Sequence, residues 1–110
     1  MRWLLATAIC FVAHSTTALS DAGFFYAYGI GKLSCANWLS QPENTLEGQA
    51  WLFGYWSGLN RMNPQNSSVG SRSDPPGIVG EIEKICRAEP STGLYEAVQR
   101  VYDQFSQTGK

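Results

Sequence analysis

The chain has 110 residues, enough for one domain, and a formal net charge of −1 from eight basic and nine acidic residues. This balance excludes the strongly basic surface that nucleic acid or an anionic membrane would attract. Four tryptophans, five tyrosines and five phenylalanines are present. Two of the tryptophans lie in one glycine-containing stretch, Gln49–Asn60, around which we expect the domain to be organised.

Residues 1–20 have the pattern of a signal peptide. Arg2 supplies a short positive segment, and Trp3–Ala13 is an uncharged apolar run of the usual length for such signals. A membrane anchor is the alternative, but spanning a bilayer takes about 20 apolar residues. The small residues that end at Ser20 fit the cleavage rule, so we predict cleavage there and one exported domain over residues 21–110.

Cleavage would remove Cys10 and His14, which changes the chemistry open to the domain. Two cysteines remain, Cys35 and Cys86, and in an oxidising compartment we expect them to form a disulfide. With no histidine left, Ser–His and Cys–His catalytic pairs are excluded and zinc sites are disfavoured. Arg2 would also leave, so the mature net charge is about −2. We expect no enzyme, no metal or cofactor, and no contact with nucleic acid or membrane.

The first part of the domain combines an aromatic arm with a short helix. Asp21–Gly31 is rich in aromatic residues and glycine, so we expect an arm that lies over the helices and not a long regular element. Lys32–Ser40 has Cys35 and Trp38 at a helical spacing, which predicts a short helix. Pro42 should end that helix.

The central stretch predicts a helix that is capped by Asn44 or Thr45 and runs to about Met62. Small residues recur every four positions along one of its faces: Ala50, Gly54 and Gly58. Each glycine costs a helix roughly 1 kcal/mol against alanine, so something must offset that cost. We expect another helix to pack closely on this small-residue face.

The same helix carries more aromatic side chains than one face of so small a core can bury. Three of them are candidates for binding a partner: Trp51, Tyr55 and Trp56. An aromatic side chain left exposed on a small domain favours contact with another molecule. We expect whichever of the three stays exposed to carry the function, which would be recognition and not catalysis.

Residues 63–77 predict a long polar loop of turn-forming residues, which include Asn66 in a glycosylation sequon by pattern. A proline pair at 75–76 opens the third helix, whose apolar stripe carries Cys86 inward. The last helix has the cleanest helical period in the chain: Leu94, Ala97, Val98, Val101, Tyr102 and Phe105. We expect residues 107–110 to be a frayed tail.

These patterns predict an all-α fold, a small bundle of about four short helices closed by the disulfide between Cys35 and Cys86. That disulfide would close a loop of about 52 residues, which the chain-entropy model values at roughly 4 kcal/mol. Because this is close to the whole stability of a small domain, we expect reduction to unfold the protein or loosen it badly.

A spaced set of residues forms a pattern that is shared with known proteins: Ser34-Cys35, Trp38-Leu39, Trp51, Gly54-Tyr55, Ser57-Gly58-Leu59-Asn60, Asp74, Ile85-Cys86-Arg87, Pro90, Leu94 and Ala97. The pattern resembles a group of small exported bacterial proteins with two cysteines in a helical domain. It is also distantly similar to the HdeA/HdeB periplasmic acid-stress chaperones and to the Tai-type immunity proteins, which block peptidoglycan-cleaving toxins. The resemblance implies a periplasmic helical domain with one disulfide between two helices.

Three functions follow as expectations, and in each the partner is another protein. The first is an HdeA-like stress chaperone that binds clients. The second is an immunity or inhibitor protein that places the loop 63–77 or a helix end in a toxin's active site. The third is an accessory subunit of an envelope complex that uses the exposed aromatic residues of the central helix.

Overall fold

The computed structural model describes residues 25–110, and four α-helices account for most of this part of the chain. They are α1 (Cys35–Trp38), α2 (Pro42–Met62), α3 (Pro75–Ala88) and α4 (Leu94–Thr108), and a 3₁₀ turn at Gly29–Lys32 precedes them. In place of a sheet, the described residues contain one isolated bridge between Ser34 and Gly93. The predicted all-α class is confirmed, while the predicted signal peptide lies outside the described residues.

The disulfide between Cys35 and Cys86 is present and joins α1 to α3. Its two Cα atoms are 4.9 Å apart, and both side chains are buried. The other core residues come from all the helices, the 3₁₀ turn and the loop before α3: Ile30, Trp38, Leu52, Trp56, Val69, Ile78, Val79, Ile82, Leu94, Ala97, Val98, Val101, Tyr102 and Phe105. The predicted stripe of α4 is therefore confirmed as part of the core.

The first helix is shorter than predicted. In place of one helix over residues 32–40, the chain makes the 3₁₀ turn, an extended step at Leu33 and Ser34, and then the single turn of α1. The extended step is held by the start of α4, because the backbone N–H of Leu94 donates to the carbonyl of Leu33 at 2.9 Å. The spacing of residues 32–40 cannot predict this break in the helix, because its partner, Leu94, lies far along the chain.

α2 begins at Pro42, earlier than predicted, because proline fits the first helical position, where no N–H bond is needed. Asn44 and Thr45, the predicted caps, bind the end of α1 instead. The Asn44 amide donates to the carbonyl of Asn37 at 3.0 Å, and the Thr45 hydroxyl donates to the carbonyl of Trp38 at 3.1 Å. These bonds satisfy carbonyls that α1 leaves free at its C-terminal end.

The prediction that another helix packs on the small-residue face of α2 is wrong. Ala50, Gly54 and Gly58 are exposed, and a Cβ atom at either glycine would meet nothing within 4 Å. The buried residues of α2 also recur every four positions, on the opposite side of the helix: Gly48, Leu52 and Trp56. At Gly48 a Cβ atom would lie 2.1 Å from the ring of Trp38, so an aromatic ring makes the close approach.

The predicted polar loop is shorter and better packed than expected. It ends at Asp74, whose carboxylate accepts a hydrogen bond from the N–H of Gly77 at 2.7 Å and caps α3. Val69, in the middle of the loop, is only 2% exposed. Asn66 is half-buried, and its side-chain oxygen accepts a hydrogen bond from the N–H of Ser68 at 2.9 Å. Its glycosylation stays a prediction.

The C-terminal end of α4 extends further than predicted. In place of a tail that frays from Gln107, the helix continues to Thr108 and ends at Gly109, whose φ of 73° is left-handed. The carbonyl of Lys110 then accepts a hydrogen bond from the N–H of Gly70 at 2.9 Å. The chain end is thereby tied to the loop that precedes α3.

Candidate functional site

Six aromatic side chains from the N-terminal arm, α2 and α4 form one surface, which we call the aromatic surface: Phe25, Tyr26, Tyr28, Trp51, Tyr55 and Tyr95. The three arm residues are the most exposed, with 48% of Phe25, 62% of Tyr26 and 79% of Tyr28 open to solvent. The three helix residues beneath them are half-buried. Large exposed aromatic residues are therefore concentrated at one place in the fold.

Four rings of the aromatic surface contact one another in series, and Tyr26 and Tyr28 form an edge-to-face pair of their own at 5.0 Å. Trp51 stacks on Tyr55 with 5.0 Å between ring centroids, and Tyr55 stacks on Phe25 at 6.0 Å. Phe25 also meets the edge of Tyr95 at 5.2 Å with an interplanar angle of 86°. Offset-stacked and edge-to-face pairs of this kind add roughly 0.5–1.5 kcal/mol each beyond simple burial. The contacts join the arm to both α2 and α4.

A close backbone approach fixes the arm on α2. The indole N–H of Trp51 donates to the carbonyl of Tyr28 at 2.8 Å. At Gly31 a Cβ atom would lie 2.0 Å from the Trp51 ring, so no larger residue fits there without a shift. The glycines that argued against a regular element in the arm thus have a packing reason as well.

Tyr55 connects the aromatic surface to polar groups on α4. Its hydroxyl donates to the side-chain oxygen of Gln99 at 2.8 Å, and the Gln99 amide donates to Asp103 at 2.9 Å. Burial, and then the negative charge of Asp103 and the nearby Tyr95, raise the pKa of the Tyr55 phenol above its ordinary value. Tyr55 therefore stays a protonated hydrogen-bond donor throughout the physiological range.

A groove of about 280 Å³ runs beside these rings. Aromatic carbons form its floor, and polar side chains of α4 form its rim: Phe25, Tyr55, Tyr95, Glu96, Gln99 and Arg100. Tyr95 donates to Glu96 at 2.9 Å, while Arg100 is paired with Glu89. The rim thus carries both signs of charge beside an apolar floor, which is the usual make-up of a protein-contact surface.

A second, larger groove of about 500 Å³ lies between α2 and α3. Phe53 is its one aromatic side chain, next to Val79, Gly80 and the Pro75–Pro76 pair. Size alone favours this groove, but it lacks the cluster of exposed rings that distinguishes the aromatic surface. We therefore place the candidate site at the aromatic surface.

Of the three residues predicted to bind a partner, Trp51 and Tyr55 lie together on the aromatic surface. Trp56 is a core residue, 5% exposed, with its indole N–H donating to the carbonyl of Val69 at 2.8 Å. This burial removes Trp56 from the accessible surface. For the other two residues, partner binding stays a prediction.

The sequence interpretation did not place Phe25, Tyr26, Tyr28 and Tyr95 in the site. The first three belong to the arm, which was expected to lie over the helices, with a binding segment as the alternative. Tyr95 gives a usable signal, because it is an aromatic residue next to Leu94 but outside the apolar stripe of α4. An aromatic residue outside the buried stripe of an amphipathic helix points either to solvent or to another segment that packs over it.

The chain matches no protein-family model, no curated protein and no solved structure. Across residues 25–110, no three His, Cys, Asp or Glu side chains are grouped so that they could hold a metal ion. In the same range, none of the helices is both long enough and apolar enough to cross a membrane. The geometry of the site is thus the basis for a functional assignment.

Proposed function

We propose that the protein is an exported, non-enzymatic binding protein of the bacterial periplasm that takes a protein partner on the aromatic surface. One observation carries the proposal: Phe25, Tyr26 and Tyr28 expose about half or more of their surface beside the half-buried rings of Trp51 and Tyr55. Large exposed aromatic side chains grouped on a small domain favour contact with another molecule. Tyr and Trp are also the side chains that most often dominate binding energy at interfaces.

Export is supported by two independent features. Residues 1–20 have the charge and hydropathy of a cleavable signal. The buried disulfide between Cys35 and Cys86 suits an oxidising compartment, since cytosolic thiols are kept reduced. The mass of the protein purified from the periplasm tests this part: it should correspond to a chain that begins at Asp21. An intact chain from Met1 would contradict export with cleavage.

The aromatic surface supports binding that needs no acid trigger. Within residues 25–110, no acidic or basic side chain is buried, so protonation at low pH would neutralise no buried charge. The rings are exposed in the folded state as it stands. Among the three expected roles, this arrangement supports an immunity protein or an envelope subunit as readily as a stress chaperone, and the partner decides among them.

The test uses two double variants with matched exposure. Tyr26→Ala with Tyr28→Ala removes side chains that are 62% and 79% exposed, and Leu46→Ala with Met62→Ala removes side chains that are 68% and 80% exposed outside the aromatic surface. A partner captured from envelope extracts is identified, purified and titrated against each protein. We expect the tyrosine variant to lose at least about tenfold in affinity and the control to keep it.

The identity of the partner distinguishes among the three expected roles. An exported peptidoglycan hydrolase indicates an immunity protein, and a resident envelope protein indicates an accessory subunit. Protection of an unfolded client from aggregation at about pH 2–3, abolished by the tyrosine variant, indicates a stress chaperone. The proposal fails if both variants bind equally well, or if neither a partner nor a protected client is found.

A further inference from the structure

The solvent-facing side of α2 carries a second unusual surface. Residues spaced four apart along the helix form what we call the outer ridge: Leu46, Ala50, Gly54, Gly58 and Met62. Its ends are large and apolar, with Leu46 68% and Met62 80% exposed. Its middle is flat, because nothing within 4 Å would meet a Cβ atom at Gly54 or Gly58.

The two glycines in the middle of the outer ridge lower the stability of α2 as an isolated helix. Glycine inside a helix is less favourable than alanine, and in the described structure no neighbouring element makes use of the space at Gly54 or Gly58. At Gly48, by contrast, the absence of a side chain lets the Trp38 ring pack closely on the helix. The outer ridge has the same small-residue spacing, and residues 25–110 supply no such partner for Gly54 or Gly58.

The outer ridge is complementary to itself when its direction is reversed about Gly54. Ala50 and Gly58 lie four residues on either side, so small residues face small residues. Leu46 and Met62 lie eight residues on either side, so large apolar residues face each other. A reversed copy therefore matches this ridge in size along its whole length.

Charge shows the same symmetry. Glu47 and Arg61 lie seven residues on either side of Gly54, close to two full helical turns, and so point to the same side as Gly54. Both are exposed, and neither has an ion-pair partner among the described residues. A reversed copy would place each glutamate beside the arginine of the other chain, whereas a parallel copy would place like charges together.

We propose that a second copy of this protein docks antiparallel on the outer ridge, with the two α2 helices crossing at Gly54 on a two-fold axis. Ridges of residues spaced four apart pack against each other at a crossing angle of about −50°. Glycine at the crossing point lets the two backbones approach closely. Farther out, the helices diverge, and the larger side chains of Leu46 and Met62 fill the widening space.

The size of this contact sets its expected strength. α2 has 21 residues and is about 31 Å long at 1.5 Å per residue. A single crossing of two such helices falls below the roughly 1,200 Å² that stable complexes bury. We therefore expect a reversible dimer with a dissociation constant in the micromolar range. On α2, Trp51 and Tyr55 of the aromatic surface lie roughly 60° and 100° around the helix from Gly54, so the aromatic surface flanks the outer ridge.

The first experiment is sedimentation equilibrium of the disulfide-bonded protein over a concentration series. We expect a monomer–dimer equilibrium that the Gly54→Leu variant weakens at least tenfold. The matched control is Gly80→Leu, since Gly80 also has nothing within 4 Å of a Cβ atom but lies on α3. The control should dimerise as the wild type does, and thermal melts of both variants verify that they fold.

A charge exchange tests the pairing without altering the glycines. Glu47→Arg or Arg61→Glu alone should each weaken the dimer, and the double variant should restore it. Restoration would not occur if either substitution acted by disturbing the monomer. A Gly54→Cys variant should also form an intermolecular disulfide with its own copy under oxidising conditions, and Gly80→Cys should not, because a residue on a two-fold axis faces itself.

Three results would overturn the proposal. The first is a protein that stays monomeric at millimolar concentration. The second is a dimer whose dissociation constant is the same for the wild type and Gly54→Leu. The third is a Gly54→Cys variant that cross-links only to a different protein, which would assign the outer ridge to that protein. The Tyr26→Ala and Tyr28→Ala variant should keep the dimer, so failure here is distinguishable from failure of the proposed binding function.

Discussion

Trp51 and Trp56 lie five residues apart on α2 and make the same kind of hydrogen bond, yet Trp56 is in the core and Trp51 is half-buried at the surface. Each indole N–H donates to a backbone carbonyl at 2.8 Å, Trp51 to Tyr28 in the arm and Trp56 to Val69 in the loop before α3. A glycine of the covering segment also lies against each ring, Gly31 in the arm and Gly70 in the loop. The helix is thus covered twice by similar contacts.

The two covers differ in what else holds them. The loop is tied to α2 and α4 by a series of bonds: Asn60 to Val69, Tyr102 to Asn60, Asn63 to Tyr102, and Gly70 to Lys110. The rings of Tyr102 and Phe105 then enclose Trp56 from α4. The described part of the arm contributes ring contacts, the bond to Trp51 and the buried side chain of Ile30. The more enclosed tryptophan, Trp56, is therefore the one whose covering loop makes more polar contacts with the helices.

The largest expected effect comes from removing the enclosed ring. Trp56→Ala should lower the free energy of unfolding by roughly 5 kcal/mol, the upper end for large-to-small core changes, because the hydrogen bond to Val69 is lost with the ring. Trp51→Ala should cost only about 2 kcal/mol, from one stacked pair and one hydrogen bond. Urea unfolding of the oxidised proteins measures both. Equal losses would show that the arm covers its tryptophan as firmly as the loop does.

Reduction of the disulfide should act on both regions together. Cys35 and Cys86 join α1 to α3 in the core, and the cysteines are 51 positions apart. The chain-entropy model values the closed loop at roughly 4 kcal/mol. We expect Cys35→Ala with Cys86→Ala to lose tryptophan fluorescence and helical circular dichroism in one transition, at a much lower urea concentration. Two separate transitions would mean that the arm and the loop before α3 detach from α2 at different urea concentrations.

A smaller change targets the arm alone. In Gly31→Ala the new methyl group would meet the Trp51 ring, so the arm must shift, at a cost of about 1–3 kcal/mol. Gly54→Ala is the matched control, and it should raise stability by about 0.5–1 kcal/mol because the helix gains alanine with no new contact. Amide hydrogen exchange of the arm should quicken in the first variant only. Unchanged exchange in Gly31→Ala would indicate an arm held by contacts other than Trp51.

The sequence predicts the parts of this fold that depend on local period. The stripe of α4 and the pairing of Cys35 with Cys86 are both found in the core. Sequence-based prediction fails where two faces of a helix show the same spacing. α2 has two such stripes, and only tertiary contacts decide that Leu52 is buried and Gly54 is not. In the same way, Trp51 and Trp56 are alike as residues, and the covering segments distinguish them. The sequence therefore predicts Trp51 and Tyr55 as site residues, but only long-range contacts bring the arm and Tyr95 to them and separate Trp56 from them.

The smallest expected effect concerns pH at the aromatic surface. Burial, Asp103 and Tyr95 raise the pKa of Tyr55 in the folded protein above the value of about 10 for an unfolded chain. The folded state then holds the phenol proton more tightly than the unfolded state does. Its contribution to stability is complete below about pH 10 and is lost as the pH rises through the folded-state pKa. We expect a small fall in melting temperature above pH 10, measured by circular dichroism.

Tyr55→Phe isolates this effect, because it keeps the ring on Trp51 and Phe25 but removes the titrating hydroxyl and its bond to Gln99. The variant should be slightly less stable at neutral pH, and its melting temperature should fall less than that of the wild type above pH 10. Tyr28→Phe is the control for removing a tyrosine hydroxyl from the surface, since Tyr28 is 79% exposed. If Tyr55→Phe and the wild type fall in parallel, Tyr55 titrates as a solvated phenol. The arm would then leave that end of α2 open to water, which would widen the contrast with the enclosed Trp56.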